Sequence, residues 1–348
     1  MNGKNTIKYL ELFSGIGGFR TAVERAGKSS NVDVKCVGFS DIDSNAVKTY
    51  KANFNVGKDE LEIGDITSIN SDEKIKNQLP NFNILFAGFP CQPFSLMGEK
   101  EGFLDSRGTL FFQIANILSI KKPDFFILEN VRGLKTHDGG KTFERILEIL
   151  KEDLGYNVRT EMLNSLDFGV PQVRRRLFFI GIKNKKIFDE FSKIEFGGKR
   201  ERKFKTMWHL LEREVDDKYY LSERLIKTIL ADGSGNYKSK SEINRIFARP
   251  LTATMHKMHR ANQDNYYSDA FINGKYVSSG YVETTNIGKK RIRRITPMEA
   301  FRLQGFDDSF TKKASLAGVS DTQLYRQAGN AITVNVAEEI IKSLFRIA

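Results

Sequence analysis

Cysteine and histidine are scarce in this sequence. Its 348 residues include two cysteines, Cys36 and Cys91, and four histidines. Two cysteines cannot build a disulfide framework, and four histidines without a cysteine cluster argue against structural zinc. Only His256 and His259 have a ligand-like spacing, and no third ligand stands near them. We therefore expect no metal site and no disulfide-stabilised fold.

Long apolar runs are also missing. No stretch approaches the roughly 20 apolar residues that cross a bilayer, and the first five residues lack the apolar core of a signal peptide. The sequence therefore predicts a cytoplasmic protein without membrane association. It contains neither an internal repeat nor a low-complexity segment.

Positive charge is what the composition has in excess. The net charge is +12 at pH 7 and the pI is about 9.4, which favours a polyanionic partner. With 40% hydrophobic and 28% charged residues, the chain can bury a full core, and its length is typical of about two domains.

The chain opens with a pattern typical of a nucleotide-binding α/β unit. An apolar run at 7–13 leads into the glycine turn 14–18 and then into a helical pattern from Phe19 to Ala26, which Gly27 is expected to stop. Glycines in such a turn let the backbone approach a ligand closely. The turn is weak evidence alone, since a nucleotide-dependent oxidoreductase would also fit it.

Two acidic residues follow at places where α/β proteins bind ligands. Asp41 stands at the tip of the second predicted strand, 34–39, where a carboxylate can accept hydrogen bonds from ribose hydroxyls. Asp65, in a third turn, could accept from an adenine amino group. Each precedes a polar helical stretch, so a helix N-cap is the alternative for both. Cys36 lies in the second strand and is most simply a core residue.

The other cysteine stands between two prolines at the end of an apolar run. Residues 83–87 predict a buried strand that Gly88 and Pro90 close, so Cys91 falls where the chain leaves a sheet. Many α/β proteins carry reactive groups there, and a thiolate is a strong nucleophile. The alternative is that Cys91 is a small buried hydrophobic residue.

A polar segment punctuated by three glycines, 96–109, follows this cysteine. Glycines at intervals beside a candidate nucleophile predict a lid that closes over substrate. An exposed connection is the alternative. A helix is predicted at 110–118.

Charged residues stand at the ends of two further apolar runs. Glu129 closes the strand predicted at 123–128. Partial desolvation there would raise the pKa of its carboxyl group and make it a usable proton donor. The alternative is that the carboxylate caps the next turn. Arg174 and Arg176 precede the strand predicted at 177–181. Alternation places both on one side, so they could converge on one anionic or carbonyl target. A solvated basic edge is the alternative.

The composition changes near residue 183. Residues 183–290 are rich in Lys, Arg, Asn, Ser and Tyr, which predicts a second, smaller domain. At 249–267, and most of all at 260–267, polar side chains are grouped with aromatics, the types that read base edges and contact phosphates. The basic run 289–294 would add contacts to a phosphate backbone. An ordinary charged surface also explains such runs.

Two helices are predicted to close the chain. Residues 296–306 predict an N-capped helix with Pro297 in its first turn and Gly305 at its end. A last amphipathic helix is predicted from Gln327 towards Ile347. Asn330 would lie near its start, where an amide can reach a ligand.

Six motifs, in order across nearly the whole chain, resemble the motif series of DNA cytosine-5 methyltransferases. They are Phe13–Gly18, Gly88–Ser95, Glu129–Val131, Gln172–Arg176, Arg302–Phe306 and Gln327–Asn330, and the loop Gly102–Phe112 is similar as well. The resemblance implies an α/β fold, with a Rossmann-like S-adenosylmethionine-dependent methyltransferase domain and a smaller, variable target-recognition domain. It implies a catalytic and cofactor-binding domain at 1–185, a target-recognition domain at 186–300, a hinge region at 301–325 and a C-terminal helix at 326–348 that returns to the catalytic domain.

The resemblance also implies a catalytic role for four residues. Cys91 would add to C6 of a flipped-out cytosine, whose C5 would then attack the methyl group of S-adenosyl-L-methionine. Glu129 would protonate or hydrogen-bond N3 and accept from the 4-amino group. Arg176 would hold O2, with Arg174 supporting the base or the loop. The lid would close behind the flipped base.

Two sets of binding residues follow from the same resemblance. At position 42 relatives often carry an aromatic residue that stacks on adenine, so Ile42 implies weaker cofactor binding. The cofactor would be bound by Phe13, Gly15, Ile16, Gly17, Asp41, Ile42, Asp65, Ile66, Gly88, Pro90, Leu110, Asn330 and Ala331. DNA would be contacted by Gln92, Ser95, Met97, Arg107, Thr254, Lys257 and Arg260.

The predicted function is site-specific methylation of cytosine C5 in double-stranded DNA by a monomer. It would protect host DNA in a restriction-modification system, with a cognate restriction endonuclease acting on the same site. A methyltransferase acting on transfer RNA is an alternative, and the long basic region 183–290 favours DNA over RNA. A catalytically silent DNA-binding homologue is a third hypothesis, which the joint presence of Cys91, Glu129 and Arg176 disfavours.

Overall fold

The computed structural model describes residues 6–71, 77–90, 110–197, 203–230, 233–234, 237–238, 242–257, 259–260, 262–277, 281–283 and 291–347. Within these ranges no helix combines the length and apolar character needed to cross a membrane. The same ranges contain no group of three or more His, Cys, Asp or Glu side chains that could hold a metal ion.

A seven-stranded sheet organises the N-terminal half of the chain. Its order is β3-β2-β1-β4-β5-β7-β6, parallel from β3 to β5, while β7 runs antiparallel to β5. Leu10, Leu85 and Phe126 in its central strands are fully buried, as expected for a parallel sheet covered on both faces. The strands are β1 (Ile7–Leu12), β2 (Val34–Ser40), β3 (Leu61–Glu62), β4 (Ile84–Gly88), β5 (Phe125–Val131), β6 (Asn157–Asn164) and β7 (Arg175–Ile182).

Helices connect these strands and cover the sheet. Helix α4, for example, buries Phe111, Ile114 and Leu118 in the main core. The α/β class predicted from the sequence is thus confirmed. The helices are α1 (Gly18–Ser30), α2 (Ser44–Asn53), α3 (Ser68–Ser71), α4 (Leu110–Lys121), α5 (Lys141–Glu148) and α6 (Lys185–Ser192), with a 3-10 segment at Arg132–Gly140 and a π-helical turn at Ile149–Asp153.

Helix α1 continues past Gly27, where the sequence predicted its end. A Cβ at position 27 would lie 2.7 Å from the carbonyl oxygen of Val32 and 3.2 Å from the Val34 side chain. Glycine is needed there because the chain folds back close to the helix before it enters β2. The helix ends instead at Asn31, whose φ of 56° is left-handed, a common conformation at helix ends.

The remainder of the chain contains short strands and helices of 4 to 12 residues. The small strands pair as β8-β9, β10-β13 and β11-β12. The elements are α7 (Met207–Leu210), α8 (Glu223–Leu230), β8 (Gly233–Ser234), β9 (Tyr237–Lys238), β10 (Tyr266–Ser268), α9 (Asp269–Ile272), β11 (Lys275–Val277), β12 (Tyr281–Glu283), β13 (Ile292–Arg294), α10 (Pro297–Leu303), α11 (Asp308–Leu316), α12 (Asp321–Asn330) and α13 (Val334–Phe345), with 3-10 turns at Ser165–Phe168 and Asp217–Tyr219.

Close contacts divide the chain into two units, and the division differs from the predicted boundaries at 185, 300 and 325. Residues 301–325 belong to the second unit, together with most of the predicted target-recognition domain. The segment 164–174 joins them because the Gln172 amide donates to the carbonyl of Leu303 and accepts from the N–H of Leu251, both at 2.9 Å. The first unit is 1–163, 175–196 and 336–348, and the second is 164–174 and 197–335.

Helix α10 begins as predicted. The Thr296 hydroxyl accepts the N–H of Glu299, and the Glu299 carboxylate accepts the N–H of Thr296. Glu299 also accepts two hydrogen bonds from the Arg293 guanidinium, at 2.7 and 2.9 Å, and both side chains are buried. This enclosed ion pair joins α10 to β13.

Two helices occupy the segment where the sequence predicted one helix starting at Gln327. Helix α12 ends at Asn330 and α13 begins at Val334. Asn330 therefore lies at the carboxyl end of a helix and not near a helix start. Ala331 breaks the run with an extended backbone, at φ −62° and ψ 146°.

Candidate functional site

The turn after β1 lies where the strand order reverses between β1 and β4, the usual ligand position in open α/β sheets. Phe13, Gly15 and Gly17 have left-handed φ angles of 51°, 53° and 85°. Such an angle is uncommon for a bulky residue like Phe13. The N–H of Ser14 donates to the carbonyl of Ser40, and the N–H of Gly17 to that of Ser14, both at 2.8 Å. The turn is therefore tied to the end of β2.

The two glycines have different surroundings. A Cβ on Gly17 would lie 2.2 Å from the Phe54 ring, so packed protein fills that side. A Cβ on Gly15 would meet no described atom within 4 Å, and the same holds for Gly64 in the turn after β3. Open space beside a glycine backbone allows a ligand to approach closely.

Asp41 fixes the glycine turn from the end of β2. Its carboxylate accepts the N–H of Gly15 at 2.7 Å and the N–H of Asp43 at 2.8 Å. The N-cap of α2 is Asp43, whose side chain accepts the N–H groups of Asn45 and Ala46, so the N-cap alternative for Asp41 is wrong. Burial raises the pKa of Asp41, although the hydrogen bonds it accepts oppose this.

Three isoleucines predicted at the cofactor differ in exposure. Ile42 is 80% exposed beside the Asp41 carboxylate, so its side chain can cover an apolar ring. Ile16 and Ile66 are buried in the protein, and their backbone is what a ligand can meet. Asp65 is exposed and accepts the N–H of Thr67 at 2.9 Å, so its carboxylate lies at the surface of the turn.

The carboxyl ends of β4 and β5 bring the next predicted residues together. Gly88 and Glu129 are register partners in these parallel strands, and a Cβ on Gly88 would lie 3.7 Å from Oε2 of Glu129. Asn130, which is 1% exposed, donates from Nδ2 to the carbonyl of Phe89 at 2.9 Å. It therefore holds the backbone immediately before Pro90.

Sequence reasoning assigned no role to Asn130. The available signal was its place at the end of an apolar strand, because a buried amide must find a hydrogen-bond partner.

Glu129 and Arg176 form an ion pair at this edge. Nε of Arg176 lies 3.1 Å from Oε1 of Glu129, and the side chains are 18% and 13% exposed, respectively. Burial lowers the pKa of Arg176 and Glu129 opposes that shift, but a guanidinium stays charged at any ordinary pH. A carboxylate and a guanidinium held together can engage a planar ring that offers both donors and acceptors.

Arg174 has other partners. It belongs to the second unit and is 2% exposed. Its guanidinium donates to the carbonyls of Leu251, Gly329 and Ala331 at 2.9 to 3.0 Å. The contacts of Arg174 and Arg176 therefore differ, contrary to the predicted convergence, and those of Arg174 support the backbone of its own unit.

Part of the predicted site lies outside the described residues. This part is Cys91, Gln92, Ser95, Met97 and Arg107, together with the rest of the predicted lid, 96–109. The roles expected of them stay predictions. At the borders of this gap, Pro90 is exposed and Leu110 begins α4.

The second unit contains the remaining predicted site residues. In segment 249–267, Asp264, Asn265, Tyr266 and Tyr267 are 6%, 7%, 2% and 0% exposed. A side chain enclosed in this way cannot enter a DNA groove, so these four residues do not read bases, while the base contacts predicted for the rest of the cluster stay predictions. Thr254 and Lys257 are exposed, Arg260 is partly buried, Asn330 is exposed and Ala331 is 9% exposed.

Comparison with known proteins gives consistent results. The family profile described as C-5 cytosine-specific DNA methylase matches residues 7–346. The type II methyltransferase M1.ScrFI of Lactococcus lactis subsp. cremoris is 40% identical over 346 residues, covering 99% of this chain and 80% of that protein. M.NlaX of Neisseria lactamica is 39% identical over 337 residues, covering 97% and 96%. The crystal structure of S. pombe Dnmt2 methyltransferase superposes with a TM-score of 0.71 at 24% identity, covering 98% of each chain, so the two share a fold.

Proposed function

The chain belongs to the C-5 cytosine-specific DNA methylase family, and on that premise we propose that it methylates C5 of one specific cytosine in duplex DNA. The observation that carries this proposal is the Glu129–Arg176 ion pair beside Gly88, at the strand edge from which the chain enters the segment of Cys91. A polar pair at that edge can bind and polarise a ring for attack by a thiolate.

S-adenosyl-L-methionine is the cofactor of this family and fold, and it supplies the methyl group when bound. The glycine turn fits it in three respects. Space beside Gly15 is open to a ligand, Asp41 can accept hydrogen bonds from ribose hydroxyls, and exposed Ile42 can cover the adenine face. Because Asp41 is bonded to Gly15, the turn and the acid are held in one arrangement.

Cys91 is the proposed nucleophile. Its thiolate forms a bond from Sγ to C6 of the cytosine, the electron pair of the C5–C6 double bond shifts to the C4–C5 bond, and electron density moves onto N3. Glu129 protonates or hydrogen-bonds N3, and Arg176 donates to O2, so the developing negative charge is stabilised. C5 then takes the methyl group, and loss of its proton restores the double bond and expels the thiolate. Because C6 is stacked in a duplex, the target nucleotide must leave the helix first.

Trapping of the covalent adduct tests this proposal. Bisulfite sequencing of DNA from cells that express the protein would first identify the methylated position. A duplex with 5-fluorocytosine at that position, incubated with protein and S-adenosyl-L-methionine, should give a stable cross-link, because fluorine cannot leave as a proton does. Cys91→Ser should abolish the cross-link and methyl transfer while it retains DNA binding. A wild-type protein that methylates this position but forms no adduct would contradict the covalent step.

Protection of host DNA is the proposed biological role, with the protein acting as a cytoplasmic monomer. Similarity to proteins named type II methyltransferases supports this role. DNA from expressing cells should resist a restriction endonuclease that cuts at the methylated sequence. Methylation found in transfer RNA and absent from DNA would favour the RNA-directed alternative.

A further inference from the structure

The loop around Arg260 in the second unit is fixed from inside by buried polar groups. Asp264 accepts the N–H of Arg260 at 3.1 Å, and its own N–H returns to the Arg260 carbonyl at 2.7 Å. One residue on, the Asn265 side chain accepts the N–H of Arg249 at 2.8 Å and donates to the Arg249 carbonyl at 3.2 Å. Both ends of segment 249–265 are therefore held together.

The strand that follows continues this framework. The hydroxyl of Tyr266 bonds to Nδ1 of His259 at 3.1 Å, and Nε2 of the same ring lies 3.1 Å from Nη2 of Arg294. Burial and the charge of Arg294 lower the pKa of His259, so its ring is neutral and can accept from the guanidinium. The backbone beside Arg260 is thus anchored to β10 and β13.

The Arg260 side chain is itself oriented on two sides. Nη2 donates to the Thr254 hydroxyl at 2.9 Å, and Nε lies 3.9 Å from the Asp264 carboxylate, while the side chain stays 26% exposed. A guanidinium carries five N–H donors. Within the described residues, the Arg260 guanidinium donates one hydrogen bond, to Thr254. Other N–H groups of the guanidinium can therefore donate to a ligand.

This geometry suits a base edge better than a phosphate. Parallel N–H groups of arginine match O6 and N7 of guanine, the commonest specific contact in the major groove. A side chain that is already oriented loses little conformational freedom on binding. A phosphate contact needs no such restraint, and exposed Lys257 on the same loop suits that purpose.

We propose that Arg260 is a specificity-determining residue that reads one guanine of the recognition sequence, and that Asp264 is the positioning residue that orients it. This inference rests on the proposed function, because it requires duplex DNA as the substrate.

Asp264 orients Arg260, but its buried carboxylate lowers the stability of the folded protein. Burial raises its pKa to about 6, although Arg260, Arg294 and Arg249 lower it. The folded protein therefore binds the proton more tightly than the unfolded chain, and the charged carboxylate destabilises the fold as pH rises from the ordinary aspartate range through 6. Asp264→Asn removes this cost and should fold.

A duplex library tests the proposal. The duplexes carry one fixed cytosine and randomised flanking base pairs, and methylation is scored by bisulfite sequencing. Arg260→Ala should relax the preference at one G·C pair by about 10- to 100-fold in relative kcat/KM, and Arg260→Lys should not restore it, because an ammonium cannot form the paired contact. Asp264→Asn should relax the same position and no other. Lys227→Ala, an exposed basic residue of the same unit, is the matched control and should change no position.

Three results would overturn the proposal. The first is an equal loss on every sequence with a salt slope reduced by about one, which makes Arg260 a phosphate contact. The second is an unchanged preference in Arg260→Ala. The third is an Asp264→Asn variant that keeps wild-type preferences, which removes the positioning role. A wild-type protein that methylates no duplex would instead contradict the proposed function itself. Thermal unfolding of each variant establishes that it is folded.

Discussion

At the scale of single residues, the ring binding proposed above depends on the ion pair of Glu129 and Arg176. Each side chain is less than a fifth exposed, so each charge is partly removed from water and depends on the other for compensation. The pair therefore orients the carboxylate before substrate arrives. An oriented group needs less reorganisation during the reaction.

Glu129→Gln should lower kcat by about 10²- to 10⁴-fold, because glutamine keeps the size of the side chain but cannot transfer a proton. Affinity for S-adenosyl-L-methionine should not change. Steady-state methylation and calorimetric titration of the cofactor measure the two effects. Glu144→Gln, at an exposed acid on α5, is the control, and ordinary turnover in Glu129→Gln would exclude the assigned role.

Ile42→Ala should weaken cofactor binding by about fivefold, equal to ~1 kcal/mol, because part of its apolar side chain is covered only when adenine is present. The free energy of unfolding should change little, since the side chain is 80% exposed. Ile42→Trp should bind the cofactor more tightly through stacking. Leu316→Ala, also at an exposed position, is the control, and an unchanged dissociation constant in Ile42→Ala would place adenine elsewhere.

At the scale of elements, the junction of β1 and α1 combines packing with ligand access. Gly17 lies against the Phe54 ring and Gly15 faces open space. Both have positive φ, so any other residue is strained by roughly 1 to 2 kcal/mol. Substitutions at the two positions therefore distinguish the effect of backbone strain, which both share, from that of a side-chain collision, which occurs only at Gly17.

Gly17→Ala should lower the free energy of unfolding by more than Gly15→Ala does, because its Cβ collides with Phe54 in addition to the strain. Gly15→Ala should chiefly lose cofactor affinity, since its Cβ enters the space assigned to the ligand. Denaturant titration and cofactor calorimetry measure the two quantities. Adding Phe54→Ala to Gly17→Ala should recover part of the stability, and equal losses in the two single variants would refute the packing argument.

At the scale of the whole molecule, the net charge of +12 governs how strongly the protein binds a polyanion. Charge contacts to phosphates release counterions, so the association constant falls linearly with salt on logarithmic scales. This attraction is independent of base sequence. This electrostatic attraction would act together with the guanine contact proposed for Arg260, but it would not distinguish one base sequence from another.

Lys257→Ala should weaken duplex binding nearly equally on all sequences and reduce the salt slope by about one. Fluorescence anisotropy over a series of salt concentrations measures the slope. Lys227→Ala serves again as the control. A Lys257→Ala effect confined to one base pair would assign this lysine to base reading.

The amino-acid sequence by itself determined the α/β class and the positions along the chain of several candidate site residues. Parallel strands buried on both faces require continuous apolar runs, and those runs are visible without a structure. Glycine turns and acids at strand ends are local features too, so Gly15, Asp41 and Glu129 could be singled out. Local patterns were insufficient at Gly27, where the close approach of Val32 requires a glycine inside a helix that continues to Ser30.

Only the tertiary structure decided which of the polar residues are enclosed. Arg174 and Arg176 are two positions apart, yet one is surrounded by carbonyls that lie 77 to 157 positions along the chain and the other pairs with Glu129. In the same way, Asp264 is buried, while the side chain of Arg260, four positions away, is partly exposed to solvent. Partners and burial depend on contacts between distant segments, and no local pattern of residues encodes such contacts.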